Sequence, residues 1–141
     1  MIDSFDGEYE FLSNFYEKPI HYNRRGWMTA EHAFQGAKCC TESDENRIQG
    51  AKTPGQAKRL GRKVLLRHDW EAVKLQIMFD ILWIKFQDPD LREKLLSTGN
   101  QPIVEGNNWG DKFWGKVDGV GKNHLGIILM KVRQEIRESM E

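Results

Sequence analysis

Six side chains stand out for the chemistry they could perform: the carboxylates Glu31 and Asp111, the amine Lys38, and the rings of Phe34, Trp70 and Trp114. Two carboxylates in an aromatic-walled cleft can break a glycosidic bond. One stabilises the cationic sugar or orients water, and the other handles the proton of the leaving group. Aromatic walls stack on a planar base and screen the charged transition state from bulk water. A desolvated lysine offers a second route, attack at the anomeric carbon followed by ring opening to a Schiff base. Residue types alone leave both routes open.

The element that must position half of this set, Glu31, Phe34 and Lys38, is the stretch Trp27 to Lys38. Thr29 is suited to cap a helix, and Glu31 in the first turn suits the positive end of its dipole. At 100° per residue Glu31, Phe34, Gln35 and Lys38 share one face, while Ala30, Ala33 and Ala37 form a small-residue stripe on another. Such a pattern also fits a solvated polar stripe opposite buried alanines. A large aromatic among a carboxylate, an amide and an amine instead suggests a pocket wall.

Upstream, the spaced aromatics between Met1 and Met28 suggest short strands, with Asn23-Arg24-Arg25-Gly26 as the turn of a hairpin leading into the key helix. Ser13 and Asn14, in Leu12-Ser13-Asn14-Phe15, form a turn with small hydrogen-bonding groups. Thr41 to Asn46 is expected to be a polar connection. Thr53 followed by Pro54 marks a helix start. From Lys52 to Arg67 there are six basic residues and no acidic one, a candidate phosphate-facing patch in which Arg62 is the expected specific contact.

Asp69 is placed to cap the longest helix, Trp70 to about Gln87, with Val73, Ile77, Met78, Ile81, Leu82 and Ile84 as its apolar spine. A short helix from Pro89 ends near Thr98, with Gly99 as a left-handed stop. Ile103 to Glu105 is a brief strand. Gly106 to Lys122 is a loop rich in glycine and aromatics that carries Asp111 and Trp114. Asn123 is the expected cap of a last helix from His124 to about Glu138.

The composition narrows the function classes. The chain has 141 residues, 39% hydrophobic and 30% charged, with no net charge, which predicts one ordered domain over 1–141. Zero net charge argues against wholesale binding to nucleic acid or to an anionic membrane. No apolar run is long enough to span a bilayer, and an acidic N-terminus is unlike a signal peptide, so a cytoplasmic location is expected. Adjacent Cys39 and Cys40 give neither a disulfide framework nor a zinc spacing, and the four histidines show no ligand pattern. Gly115-Lys116 lacks the Ser or Thr of a P-loop, and no dinucleotide fingerprint is present. No metal and no cofactor are expected, and nothing fixes the oligomeric state.

Taken in order, Leu12-Ser13-Asn14-Phe15, Glu31-His32-x-Phe34-Gln35-x-x-Lys38, Ala57-Lys58-x-Leu60-Gly61-Arg62, Asp69-Trp70, Asp111-x-x-Trp114-Gly115 and Gly121-x-Asn123-x-Leu125-Gly126 resemble the motifs of the NADAR family, over nearly the whole chain. The resemblance implies an α+β, predominantly helical domain with a few short N-terminal strands. It implies an N-glycosidase, a metal-independent hydrolase acting on a phosphorylated ribosyl small molecule, such as an early intermediate of riboflavin synthesis, or on ADP-ribosylated guanine in nucleic acid. The family's important positions fall on Glu31, Trp70, Asp111 and Trp114, with Lys38 as a covalent or electrostatic candidate. Phe34, Gln35, Ser13, Asn14, Arg62 and Asn123 complete the expected substrate contacts. The alternative is a non-catalytic sensor of ADP-ribose or NAD.

Overall fold

The computed structural model describes all 141 residues, Met1–Glu141. They group into two compact units, one formed by Asn14–Lys85 and the other by Met1–Ser13 together with Phe86–Glu141.

The unit Asn14–Lys85 opens with an antiparallel hairpin of β1 (Glu17–Tyr22) and β2 (Arg25–Thr29). The turn is only Asn23-Arg24, both in the left-handed region at φ 53° and 68°, the geometry whose twist matches that of the flanking strands. Helix α1 (Ala30–Ala37) follows without a loop, and Thr29 Oγ1 accepts from the His32 N–H as expected of an N-cap.

Thr41–Asn46 is not a connection. Helix α2 (Glu42–Gln49) begins there, capped by Thr41 and acidic in its first turn, with Ile48 buried. Arg25 clamps it to the hairpin, donating to Asn46 Oδ1 and Gln49 Oε1 and pairing with Glu45 at 3.2 Å. Helix α3 (Pro54–Gly61) starts at the expected Thr53-Pro54 cap.

Helix α4 (Trp70–Lys85) is the expected long helix. Ile77, Met78, Ile81 and Leu82 of its spine are buried, while Val73 and Ile84 are only half-buried. The Asp69 side chain is engaged differently from a simple cap: its carboxylate is gripped by Arg67 through two bonds of 2.6 and 3.0 Å, and its backbone carbonyl accepts from Ala72 and Val73.

In the other unit the N-terminal segment is not a run of strands. Ile2 makes a single parallel bridge to Ile103, and Gly7–Leu12 is a 3-10 turn entered at Gly7 with φ 55°. Phe11 and Leu12 of this turn are buried, and the Phe11 ring meets Phe86 edge-on at 6.4 Å. Helix α5 (Pro89–Ser97) stops at Gly99 with φ 65°, and α6 (His124–Ser139) packs on it. Arg133 donates to Thr98 Oγ1, and Arg137 donates to Asn100 Oδ1 and to the Gly99 carbonyl, placing cations at the negative end of α5.

No helix is long and apolar enough to cross a membrane.

Candidate active site

Helix α1 is buried on every side, from Ala30 to Ala37, which removes the solvated-stripe reading of its polar face. Its N-terminus is fixed three ways. The Glu31 N–H donates to the Asn14 carbonyl at 3.0 Å. Thr29 Oγ1 lies 2.8 Å from His32 Nδ1, and His32 Nε2 lies 3.0 Å from the Ala51 carbonyl. A carbonyl can only accept, so Nε2 carries a proton and donates to Ala51, while Nδ1 shares a hydrogen bond with the Thr29 hydroxyl. Both nitrogens of His32 therefore hold the fold, and no group of three or more His, Cys, Asp or Glu is arranged to hold a metal ion.

Glu31 is 7% exposed, and its Oε1 accepts from Gln35 Nε2 at 3.0 Å, one turn along the same face. Phe34, on that face, packs against Trp70 at the start of α4, with ring centroids 5.1 Å apart and planes tilted by 53°. The carboxylate thus shares its helix face with an apolar ring pair. Lys38 caps the C-terminal end of α1 and is half-buried. Burial holds its amine below the usual lysine pKa; the Glu31 charge opposes that shift, and the Arg62 and Lys74 cations add to it.

Asn14 is 8% exposed. Its Nδ2 finds only the Met78 sulfur at 3.5 Å, and its buried Oδ1 has no hydrogen-bond partner, as is also true of Gln35 Oε1. Arg62 is exposed at the end of α3. With Gln56, Arg59, Leu60 and Lys63 it lines a surface depression of about 310 Å³. Arg67, counted with the basic run, is diverted to Asp69 and to the Ala37 carbonyl.

The remaining expected site residues belong to the other unit. Asp111 is half-buried, and its Oδ1 accepts from the Phe113 and Trp114 N–H groups at 3.0 and 2.9 Å, a local turn that sets the Trp114 ring. That ring meets Phe113 edge-on at 4.9 Å and His124 at 6.5 Å. Asn123 makes no side-chain cap on α6. It sits at φ 55°, buried, with Oδ1 accepting from the Glu105 N–H and Nδ2 donating to the Ile103 carbonyl. Its amide is engaged in bracing the chain. Ser13 is half-buried, its N–H bonded to the Glu10 carbonyl.

Lys85 had no part in the sequence reading. It is wholly buried at the end of α4, 5.6 Å from the Tyr16 ring centroid, and burial pushes its amine down to about 7. Its position in the repeat that buries Ile77, Met78, Ile81 and Leu82 was the available signal.

The NADAR domain pattern matches residues 3–137 and so runs through both units. The chain belongs to the NADAR family. An N-glycosidase of Nostoc punctiforme is 43% identical to it over 136 residues, covering 92% of this chain and 86% of that protein. The N-glycosidase YbiA of Escherichia coli is 38% identical over 133 residues, covering 92% and 82%. The NMR structure of YbiA superposes with a TM-score of 0.85 at 37% identity, covering 100% of this chain and 90% of that one. A riboflavin biosynthesis protein of Vibrio vulnificus is 36% identical over 137 residues, 94% of this chain but 37% of that longer protein. The mainly helical α+β fold expected from the motifs is the fold of YbiA, and N-glycosidase is the activity for which two of these relatives are named.

Proposed function

We propose that this chain hydrolyses the N-glycosidic bond between a nucleobase-like group and a phosphorylated ribose. The observation that carries the proposal is Glu31: a buried carboxylate, aimed by Gln35, sharing its helix face with Phe34, which packs on Trp70. In the reaction the bond between C1′ and nitrogen breaks, its electron pair leaves with the base, and the oxygen of water bonds to C1′. Of the two protons of water, one ends on the departing nitrogen. Glu31 stabilises the positive charge that builds on the sugar or takes the proton of the attacking water. The aromatic pair keeps bulk water from screening that charge. Lys38, shifted toward its neutral form by burial, is a second nucleophile candidate.

The orphaned Oδ1 of Asn14 supports a ligand rich in hydroxyls. A buried acceptor left unsatisfied costs about 1–3 kcal/mol, and a ribose hydroxyl supplies the missing donor. The cations at Arg59, Arg62 and Lys63 suit a phosphate.

Two substrates fit this chemistry, a ribosylamino-pyrimidine phosphate of riboflavin synthesis and ADP-ribosyl guanine in nucleic acid. The test is the replacement Glu31→Gln, which keeps the shape and a hydrogen-bonding oxygen but removes the charge. Turnover is expected to fall at least a thousandfold, with ligand binding within about tenfold. Turnover unchanged in Glu31→Gln sinks the assignment.

A further inference from the structure

We infer that Gly61 is a positioning residue for this reaction: the missing side chain at position 61 is what allows Gln35 to hold the Glu31 carboxylate. The inference rests on the proposed role of Glu31.

Gly61 is the buried last residue of α3. A glycine at a helix end usually serves a left-handed turn, but Gly61 is not among the residues with positive φ. Glycine is also the weakest helix former after proline. Neither propensity nor conformational freedom accounts for it.

Close approach does. A Cβ on Gly61 would lie 1.9 Å from Gln35 Oε1, 2.7 Å from its Cδ and 3.3 Å from its Cγ. The Gln35 amide is therefore seated between two supports, the bare α3 backbone on its oxygen side and Glu31 on its nitrogen side. Its oxygen is buried with no hydrogen-bond partner, so the fit against Gly61 and the bond to Glu31 hold the amide in place. A glutamine side chain has several rotamers of similar energy. The backbone wall at Gly61 selects the one that reaches the carboxylate. A methyl group at 61 must expel that rotamer and leave Glu31 without its donor.

The experiment compares wild type, Gly61→Ala, Gln35→Ala and the double variant, each as the full chain. The readouts are kcat and KM on whichever of the two proposed substrates is cleaved, thermal unfolding, and the Gln35 side-chain amide resonances. Gly61→Ala is expected to lower kcat by about ten- to a hundredfold with KM within threefold, to displace the Gln35 resonances, and to leave the unfolding temperature unchanged or higher. In the Gln35→Ala background, which removes all three clashing atoms, adding Gly61→Ala is expected to change kcat by less than twofold. Wild-type kcat in Gly61→Ala, an equal loss in both backgrounds, or unmoved Gln35 resonances would each overturn the inference. Should Gly61→Ala fail to fold, the double variant must restore folding, and its failure to do so overturns the inference as well. Glu31→Gln run alongside separates the two ideas. If it retains activity, the proposed function is wrong; if it is inactive while Gly61→Ala is normal, only the role of Gly61 is wrong.

Discussion

Gly36→Ala should destabilise the protein even though alanine is the better helix former. Gly36 lies inside α1, where replacing glycine by alanine in open space would add about 1 kcal/mol of stability. Here a Cβ would sit 2.2 Å from Trp27 Cη2, 2.6 Å from Cζ3 and 2.9 Å from Cζ2. Ordinary contact needs more than 3.4 Å, so the ring must retreat by more than 1 Å. Trp27 cannot do so freely: it is 3% exposed, and its indole N–H is bonded to the Tyr22 carbonyl at 2.9 Å. Overpacking of a well-filled core costs about 1–3 kcal/mol, and loss of the indole hydrogen bond about 1 more. Set against the helix gain, the net is about 2 kcal/mol of destabilisation, or roughly 8 °C in Tm for a domain of this size. Thermal unfolding followed by circular dichroism reads it directly. In a Trp27→Leu background the same alanine should cost at least 1 kcal/mol less, because the opposing ring is gone. A Gly36→Ala protein as stable as wild type, or more so, refutes the reasoning.

Two further outcomes follow from the structure. Lys85 titrates near 7 when folded against 10.5 unfolded, so between those values the unfolded chain binds more protons and stability rises with pH. From pH 7 to 8.5 the rise should be about 2 kcal/mol, seen as an increasing urea midpoint, and Lys85→Met should flatten it. The comparison stops at 8.5 because burial holds the Cys39 thiol up to about 11, and that group acts in the opposite direction once unfolded thiols ionise. Asp111→Ala should raise hydrogen exchange at the Phe113 and Trp114 amides by about tenfold or more, since both donate to its carboxylate. Asp111→Asn, which retains an acceptor oxygen, should raise it less.

Local rules made much of this legible. The face of Glu31, Phe34, Gln35 and Lys38 follows from helical spacing, and Thr29 and Thr53-Pro54 are caps whose partners lie three residues away. Gly99 ends α5 for a reason confined to its own backbone. What the sequence hid depends on distant partners. Helix α2 offers one buried apolar residue, Ile48, and its polar ties to the rest of the unit run to distant residues: Arg25 donates to Asn46 and Gln49, Gln49 donates to the Gly26 carbonyl, and Asp44 accepts from the Leu65 N–H. Asn123 looks like a cap until its amide is seen to bridge residues 103 and 105. Arg67 belongs to the basic run by composition, but Asp69 claims its guanidinium. The seat of Gln35 on Gly61 joins residues 26 apart and leaves no local trace.

Cleavage of the bond itself decides the matter. Purified protein incubated in parallel with a ribosylamino-pyrimidine phosphate and with an oligonucleotide bearing ADP-ribosyl guanine, with Glu31→Gln as control, is read by mass spectrometry. Release of ribose 5-phosphate from the first, or of ADP-ribose with restored guanine from the second, by wild type and not by Glu31→Gln, is the expected result. Binding of ADP-ribose with neither substrate cleaved at any enzyme concentration would contradict it and make the chain a sensor.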